Sequence, residues 1–238
     1  MSIPAVQFLD VAQRYGKQAV LSGIDLRVAP GECLGLVGVN GAGKTSLIKC
    51  LFDFCAMERG SIEIFGLSNR LPAARRPLAF LPERFMPPYY LTGRDFLAYL
   101  LRLQGLPYRP AAAQAMLAAL DLDPAALSRT VRHYSKGMTQ KLGLAACLLA
   151  DKAMYVLDEP MSGLDPKARA LLKQQLERVR AGGATVLFTS HALADIEQLC
   201  DRVAILHAGR IRFLGSPALC RQQYGADDLE QAFMRCIG

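Results

Sequence analysis

One stretch limits what this chain can be more than any other. An apolar run, Cys33-Leu34-Gly35-Leu36-Val37, passes into Gly38-Val39-Asn40-Gly41-Ala42-Gly43-Lys44-Thr45 and then into Ser46-Leu47-Ile48. The first part reads as a short buried strand, and Thr45 to Phe52 reads as the first turns of a helix. Between them Gly41 and Gly43 allow a tight turn in which successive backbone N–H groups point the same way, toward the positive end of the helix dipole. That arrangement suits phosphate oxygens, and the spacing G-x-x-x-x-G-K-[ST] is that of a phosphate-binding loop. Lys44 is placed to reach the β- and γ-phosphates of a nucleoside triphosphate, and the Thr45 hydroxyl to help hold Mg²⁺. Gly38, Val39, Asn40, Gly41, Ala42, Gly43, Lys44, Thr45 and Ser46 are therefore the expected triphosphate contacts.

With 238 residues the chain is long enough for one large α/β domain. No apolar run approaches the ~18–20 residues that span a bilayer. The opening residues, Met1 to Gln7, lack the basic-then-apolar form of a signal peptide, which predicts a cytoplasmic chain that meets a membrane only through a partner. The seven cysteines are scattered; Cys33, Cys147 and Cys200 sit among apolar residues as small buried hydrophobes do, and a reducing compartment is expected. The net charge of +7 is dispersed, with Arg75-Arg76 its densest cluster, so a mildly basic solvated surface is expected and nucleic acid is not.

Along the chain, Val6 to Leu9 and Ile24 to Val28 alternate apolar and polar positions as antiparallel strands do, with Arg14-Tyr15-Gly16 between them. Tyr15 is either a packed turn aromatic or a ring that stacks on a base. Gly60 to Gly66 and Leu78 to Leu81 read as strands, the second ending at Pro82-Glu83. Helices are expected from about Gly93 to Gln104, capped by Thr92, from Ala111 to Leu120, and from Ser135 to Leu149. The core resumes with Ala153 to Leu157, a strand that ends in Asp158-Glu159. Asp165-Pro166 then starts a helix that stops at Gly182-Gly183. A strand at Thr185–Thr189 precedes Ser190-His191, and a hairpin turning at Ala208-Gly209 precedes a helical tail from Pro217. Two acids at a strand end suit hydrolysis, the aspartate toward Mg²⁺ and the glutamate toward an attacking water. Alone, they read as a solvated strand end; next to a phosphate loop they read as a hydrolytic pair.

Taken in order, these landmarks resemble an ATP-binding subunit of an ABC transporter over essentially the whole chain. They are Tyr15, the loop from Gly38 to Thr45, Pro82-Glu83, the signature segment Tyr134-Ser135-Lys136-Gly137-Met138, Asp158-Glu159, the turn Ser162-Gly163-Leu164-Asp165, and His191. The resemblance implies an α/β fold: a P-loop NTPase core with a mostly parallel sheet, an N-terminal antiparallel β subdomain and an inserted α-helical subdomain. It implies one domain over 1–238, with the core at about 1–84 and 151–238 and the helical signature subdomain at about 85–150. It also implies ATP and Mg²⁺ as ligands. Two copies would pair head to tail, each ATP lying between one phosphate loop and the other copy's Ser135 and Gly137. Tyr15 would then stack on the adenine. Lys44, Glu159 as general base and His191 would be the catalytic groups; Thr45, Glu83 and Asp158 would hold Mg²⁺, and Asp165 would link the two sites.

The chain departs from the family pattern in two places. Of the usual Leu-Ser-Gly-Gly-Gln signature only the serine and second glycine remain, and Glu83 stands where most members have glutamine. Both departures resemble a subgroup that serves separate membrane permeases of about six helices, commonly exporters. The expected partners are such a permease and a second ATP-binding subunit of the same kind, at the cytoplasmic face of the inner membrane. The aromatic and proline-rich segment Phe85 to Tyr90 is read either as the permease-docking surface or as packing within the helical subdomain. The competing reading is a soluble relative that acts on ribosomes or nucleic acid.

Overall fold

A computed structural model describes residues 3–238, so Met1 and Ser2 of the opening stretch and of the expected domain lie outside the described residues. β1 (Val6–Tyr15) and β2 (Gln18–Val28) form a hairpin, and β3 (Cys33–Val37) leads through the glycine loop into α1 (Lys44–Leu51). β4 (Arg59–Ile64), a short β5 (Leu67–Ser68), α2 (Pro72–Arg75) and β6 (Leu78–Leu81) follow. Next come α3 (Gly93–Leu103), α4 (Pro110–Ala119), two 3-10 turns (Pro124–Ser128 and Val131–His133) and α5 (Lys136–Leu149). The chain then runs through β7 (Met154–Leu157), α6 (Pro166–Ala181), β8 (Thr185–Thr189), α7 (Leu193–Leu199), β9 (Arg202–His207), β10 (Arg210–Gly215), α8 (Pro217–Tyr224) and α9 (Leu229–Ile237).

Two sheets result. One is antiparallel, in the order β2-β1-β4-β5; the other runs β10-β9-β3-β8-β7-β6 and is parallel throughout except for the β9–β10 edge hairpin. This is the expected α/β architecture. The parallel strands read as continuous apolar runs because both faces are covered. Their side chains sort by parity. Cys33, Val37, Tyr155, Leu157, Val186 and Phe188 face one core, which the helices after β6 complete. Leu34, Leu36, Met154, Val156 and Leu187 face the other, where α1 and the antiparallel sheet close over them.

The first hairpin is longer than the alternation predicts. Register slips between Phe8 and Val11, where Asp10 takes φ +47°, so buried positions shift phase and the pattern breaks although the strand continues. Tyr15 pairs with Gln18 around a two-residue turn, with Gly16 at φ +57°. The helical tail is two helices instead of one, because Gly225 at φ +60° ends α8 and Asp228 caps α9. Among the described residues, no helix is long and apolar enough to cross a membrane.

α5 lies against both the helical stretch and the parallel sheet. At Gly143 an added Cβ would stand 2.8 Å from Leu81 Cδ1 and from the Phe85 ring, so the helix crosses β6 as closely as its backbone allows. Phe85 itself is partly buried and packs edge-on to Phe96, with ring centroids 5.6 Å apart. Gly143→Val should therefore overpack this crossing and cost about 1–3 kcal/mol, read as a lower urea midpoint at unchanged slope.

Candidate functional site

The parallel sheet sets the site before any side chain does. β6, β7, β8 and β3 are consecutive neighbours and parallel, so Glu83, Asp158-Glu159, His191 and the glycine loop all leave from the same edge. β3 is flanked by β8 and β9, both later in the chain, which makes its end a topological switch point where open α/β sheets bind ligands. A cleft of about 800 Å³ opens there. It is lined by Tyr15, residues 39–46, Glu83, Asp158, Glu159 and His191, together with Gln18, Val20 and Ser162.

The loop is built for an anion. Gly43 is the N-cap of α1 at φ +112°, and among the described residues no side chain caps the helix, which leaves its first N–H groups for a ligand in the cleft that residues 43–46 line. A Cβ on Gly43 would meet Leu21 Cδ2 at 2.8 Å and the Val20 carbonyl at 3.1 Å; only glycine lets β2 lie this close behind the loop. Lys44 Nζ arches over the loop and donates to the Gly38 carbonyl at 2.6 Å. Gly38 is the one expected loop contact outside the cleft wall. It faces a smaller cavity behind the loop, beside Ser190, Leu193 and Phe233.

A buried carboxylate organises the opposite wall. Asp158 accepts hydrogen bonds from Thr189 Oγ1 at 2.7 Å and from Thr45 Oγ1 at 3.2 Å. Burial pushes its carboxyl above the usual carboxylate range; the two hydroxyls pull it back, and the nearby Glu83 carboxylate adds to the rise. A buried acid repelled by a second acid is a place that a cation stabilises. Thr45, Asp158 and Glu83 offer the hard oxygen donors that Mg²⁺ takes alongside water and phosphate, so these residues fit the ion.

Thr189 was given no role by the sequence reading. Besides donating to Asp158, its hydroxyl accepts the Glu159 N–H at 2.8 Å. Glu159 sits at φ +51°, the left-handed region, which costs a non-glycine residue on the order of 1 kcal/mol or more. The reward is direction: its carboxylate leaves the strand line and meets His191 Nδ1 at 2.8 Å. In that pairing Nδ1–H donates to the carboxylate.

Ser135, Gly137 and Asp165 do not reach this cleft. Ser135 caps α5, its Oγ accepting from Met138 N at 3.2 Å, and Asp165 caps α6, its Oδ1 accepting from Ala168 N at 2.9 Å. An added Cβ on Gly137 would lie 3.0 Å from the Gly163 carbonyl, so the first turn of α5 and the turn before α6 touch. The chain thus carries a triphosphate-type cleft and, beside it but outside its lining, the N-terminus of α5 against the turn that runs from Ser162 to Asp165.

The family described as ABC transporter matches residues 21–162. The Nod factor export ATP-binding protein I of Burkholderia orbicola is 36% identical over 237 residues, covering 97% of this chain and 77% of that protein. The daunorubicin resistance ATP-binding protein DrrA3 of Streptomyces coeruleorubidus is 36% identical over 234 residues, covering 97% and 74%. A solved structure described as the ATP binding subunit of an ABC transporter superposes with a TM-score of 0.89 at 31% identity, over 98% of this chain and 99% of that one. A match of this extent, on a fold whose parallel strands converge on one phosphate-type cleft, identifies the chain as a member of the ABC transporter family, an ATP-hydrolysing nucleotide-binding subunit.

Proposed function

We propose that the chain powers transport, with export favoured, through a separate integral-membrane permease at the cytoplasmic face of the plasma membrane. In this reading it works as a pair of identical subunits that close around two ATP molecules. The observation that carries it is the split between the two half-sites. The cleft gathers Lys44, Asp158, Glu159 and His191, whereas Ser135 and Gly137 sit at a helix N-terminus outside it, suited to the γ-phosphate of another copy's ATP. Asp165 lies in the turn that touches Gly137's turn, and it would link the two sites.

Within the cleft, Lys44 would leave the Gly38 carbonyl for the β- and γ-phosphates, and Tyr15, 48% exposed at the hairpin tip, would cover the adenine. Thr45, Asp158 and Glu83 would hold Mg²⁺, which when bound neutralises the triphosphate charge. Glu159 would take a proton from water as its oxygen attacks the γ-phosphorus and the bond to ADP breaks. His191, held by Glu159, would orient the γ-phosphate. The helical stretch 85–150 would act as a signature subdomain hinged on the core 1–84 and 151–238. Of the aromatic segment, Phe85 packs inward, but Met86, Tyr89 and Tyr90 are 84%, 70% and 68% exposed, and these three are the proposed permease contacts.

Glu159→Gln should lower turnover at least about a hundredfold and trap the ATP-closed dimer. Tagged Glu159→Gln chain, purified from detergent-solubilised cells with Mg-ATP, should bring a polytopic membrane protein identified by mass spectrometry. Ribosomal proteins or nucleic acid without a membrane partner would favour the soluble relative instead. Adding Tyr89→Ala should release the membrane protein while the fold persists, and unchanged co-purification would count against docking there.

Glu83→Gln exchanges a charged metal contact for a neutral carbonyl and should keep at least about a third of the ATPase rate. Complete loss of turnover would make the carboxylate essential chemistry.

A further inference from the structure

His191 sits on a turn that has little support of its own. α7 begins at Leu193, is seven residues long and has no side-chain N-cap; locally, the Ala192 N–H donates to Ser190 Oγ at 3.0 Å. The imidazole is 69% exposed, and its hydrogen-bond partner is Glu159. A helix this short is not stable in water by itself, so the position of His191 follows from whatever holds α7.

Two kinds of contact hold it. One is apolar: Ile196 and Leu199 are buried, and Ile196 lies so close to β3 that a Cβ on Gly35 would be 2.7 Å from its Cδ1. Such packing sets depth but is not directional. The other is polar. Asp195, in the first turn of α7, has its Oδ1 2.7 Å from Lys173 Nζ in the middle of α6, and Lys173 also donates to Gln198 Oε1 at 2.6 Å. The side chains of Lys173 and Asp195 are only 17% and 9% exposed, respectively. Arg169 lines the same groove, but its Nε and Asp195 Oδ2 have no hydrogen-bond partner, so among the described residues Lys173 is the ion-pair partner of this carboxylate. A nearly buried ion pair is directional, and losing one partner strands the other's charge. Arg180 and Arg221 hold the far end of α7; the Lys173–Asp195 pair acts at its first turn, the end that leads back to His191.

We propose that Lys173 and Asp195 are positioning residues for ATP hydrolysis: their ion pair holds α7 so that His191 meets Glu159, and neither touches ATP. The proposal rests on the reading of His191 given above. It also ties α6, the helix that Asp165 caps, to the histidine turn.

The test is steady-state ATPase kinetics on the full chain, with affinity for a fluorescent ATP analogue measured alongside. Lys173→Met should lower kcat at least about fivefold, with KM and analogue affinity within about twofold of the parent. Asp195→Asn should do the same, Lys173→Arg should recover at least about half the turnover, and Lys173→Met with Asp195→Leu should cost no more than either single change. Should Lys173→Met not fold, the near-isosteric Asp195→Asn carries the same comparison. Unchanged kcat in Asp195→Asn, or a loss of nucleotide affinity equal to the loss of turnover, would overturn the proposal. His191→Ala separates the two levels: full turnover there overturns both the reading of His191 and the proposal. Loss there with turnover intact in Lys173→Met and Asp195→Asn overturns the proposal alone.

Discussion

Parallel pairing of β3 with β8, and of β8 with β7, is the constraint on which everything else in this molecule depends. Because the strands run the same way, their C-terminal ends share one edge, and three distant segments of chain deliver polar groups to one place. The pairing also removes the strands' polar backbone from water, which obliges both faces to be covered. One core forms against the helices after β6, and the other forms against α1 and the antiparallel sheet. The cleft is therefore a product of sheet topology, and its walls are rigid for the same reason that the cores are packed.

Charge is what this rigidity controls. Asp158 is buried at the end of β7, and two threonine hydroxyls from flanking segments share its carboxylate. Thr189 uses the same oxygen to accept the Glu159 N–H, so Asp158 and Glu159 hang from one hydroxyl. The left-handed backbone of Glu159 turns its side chain toward His191. Strain is held here by hydrogen bonds on either side, a common arrangement where a side chain must be aimed out of a strand.

The helices carry the second half of the story. α5 and α6 begin at capped N-termini that touch one another through Gly137 and Gly163, yet neither N-terminus opens on the chain's own cleft. α6 runs from that surface back to Lys173, and through Asp195 it meets the helix behind His191. Lys141, near-buried in α5, lies 3.4 Å from Asp121 and 3.8 Å from Asp165. The part of the molecule that faces outward is thus joined by ion pairs to the part that faces the cleft.

What the sequence by itself determined is local. The glycine loop, the helix caps at Thr92, Ser135 and Asp165, and the buried-strand runs are each encoded within a few neighbouring residues, where steric and hydrogen-bonding rules act directly. Landmarks spaced along the chain extended this to the family. Only the tertiary structure decided which residues meet. Thr189 became a hinge of the site because Leu157 lies opposite Phe188 in the β7–β8 register. Phe85 turned inward where α5 crosses β6 at Gly143, whereas Tyr89 remained exposed. Gln18 and Val20 entered the cleft wall because the glycine at 43 lets β2 lean on the loop. The bulged first hairpin stayed half hidden because its register slips reset the alternation. Each of these turns on contacts between segments far apart in the chain, and no local pattern specifies them, because pairing register and helix crossing are settled by packing across the whole fold.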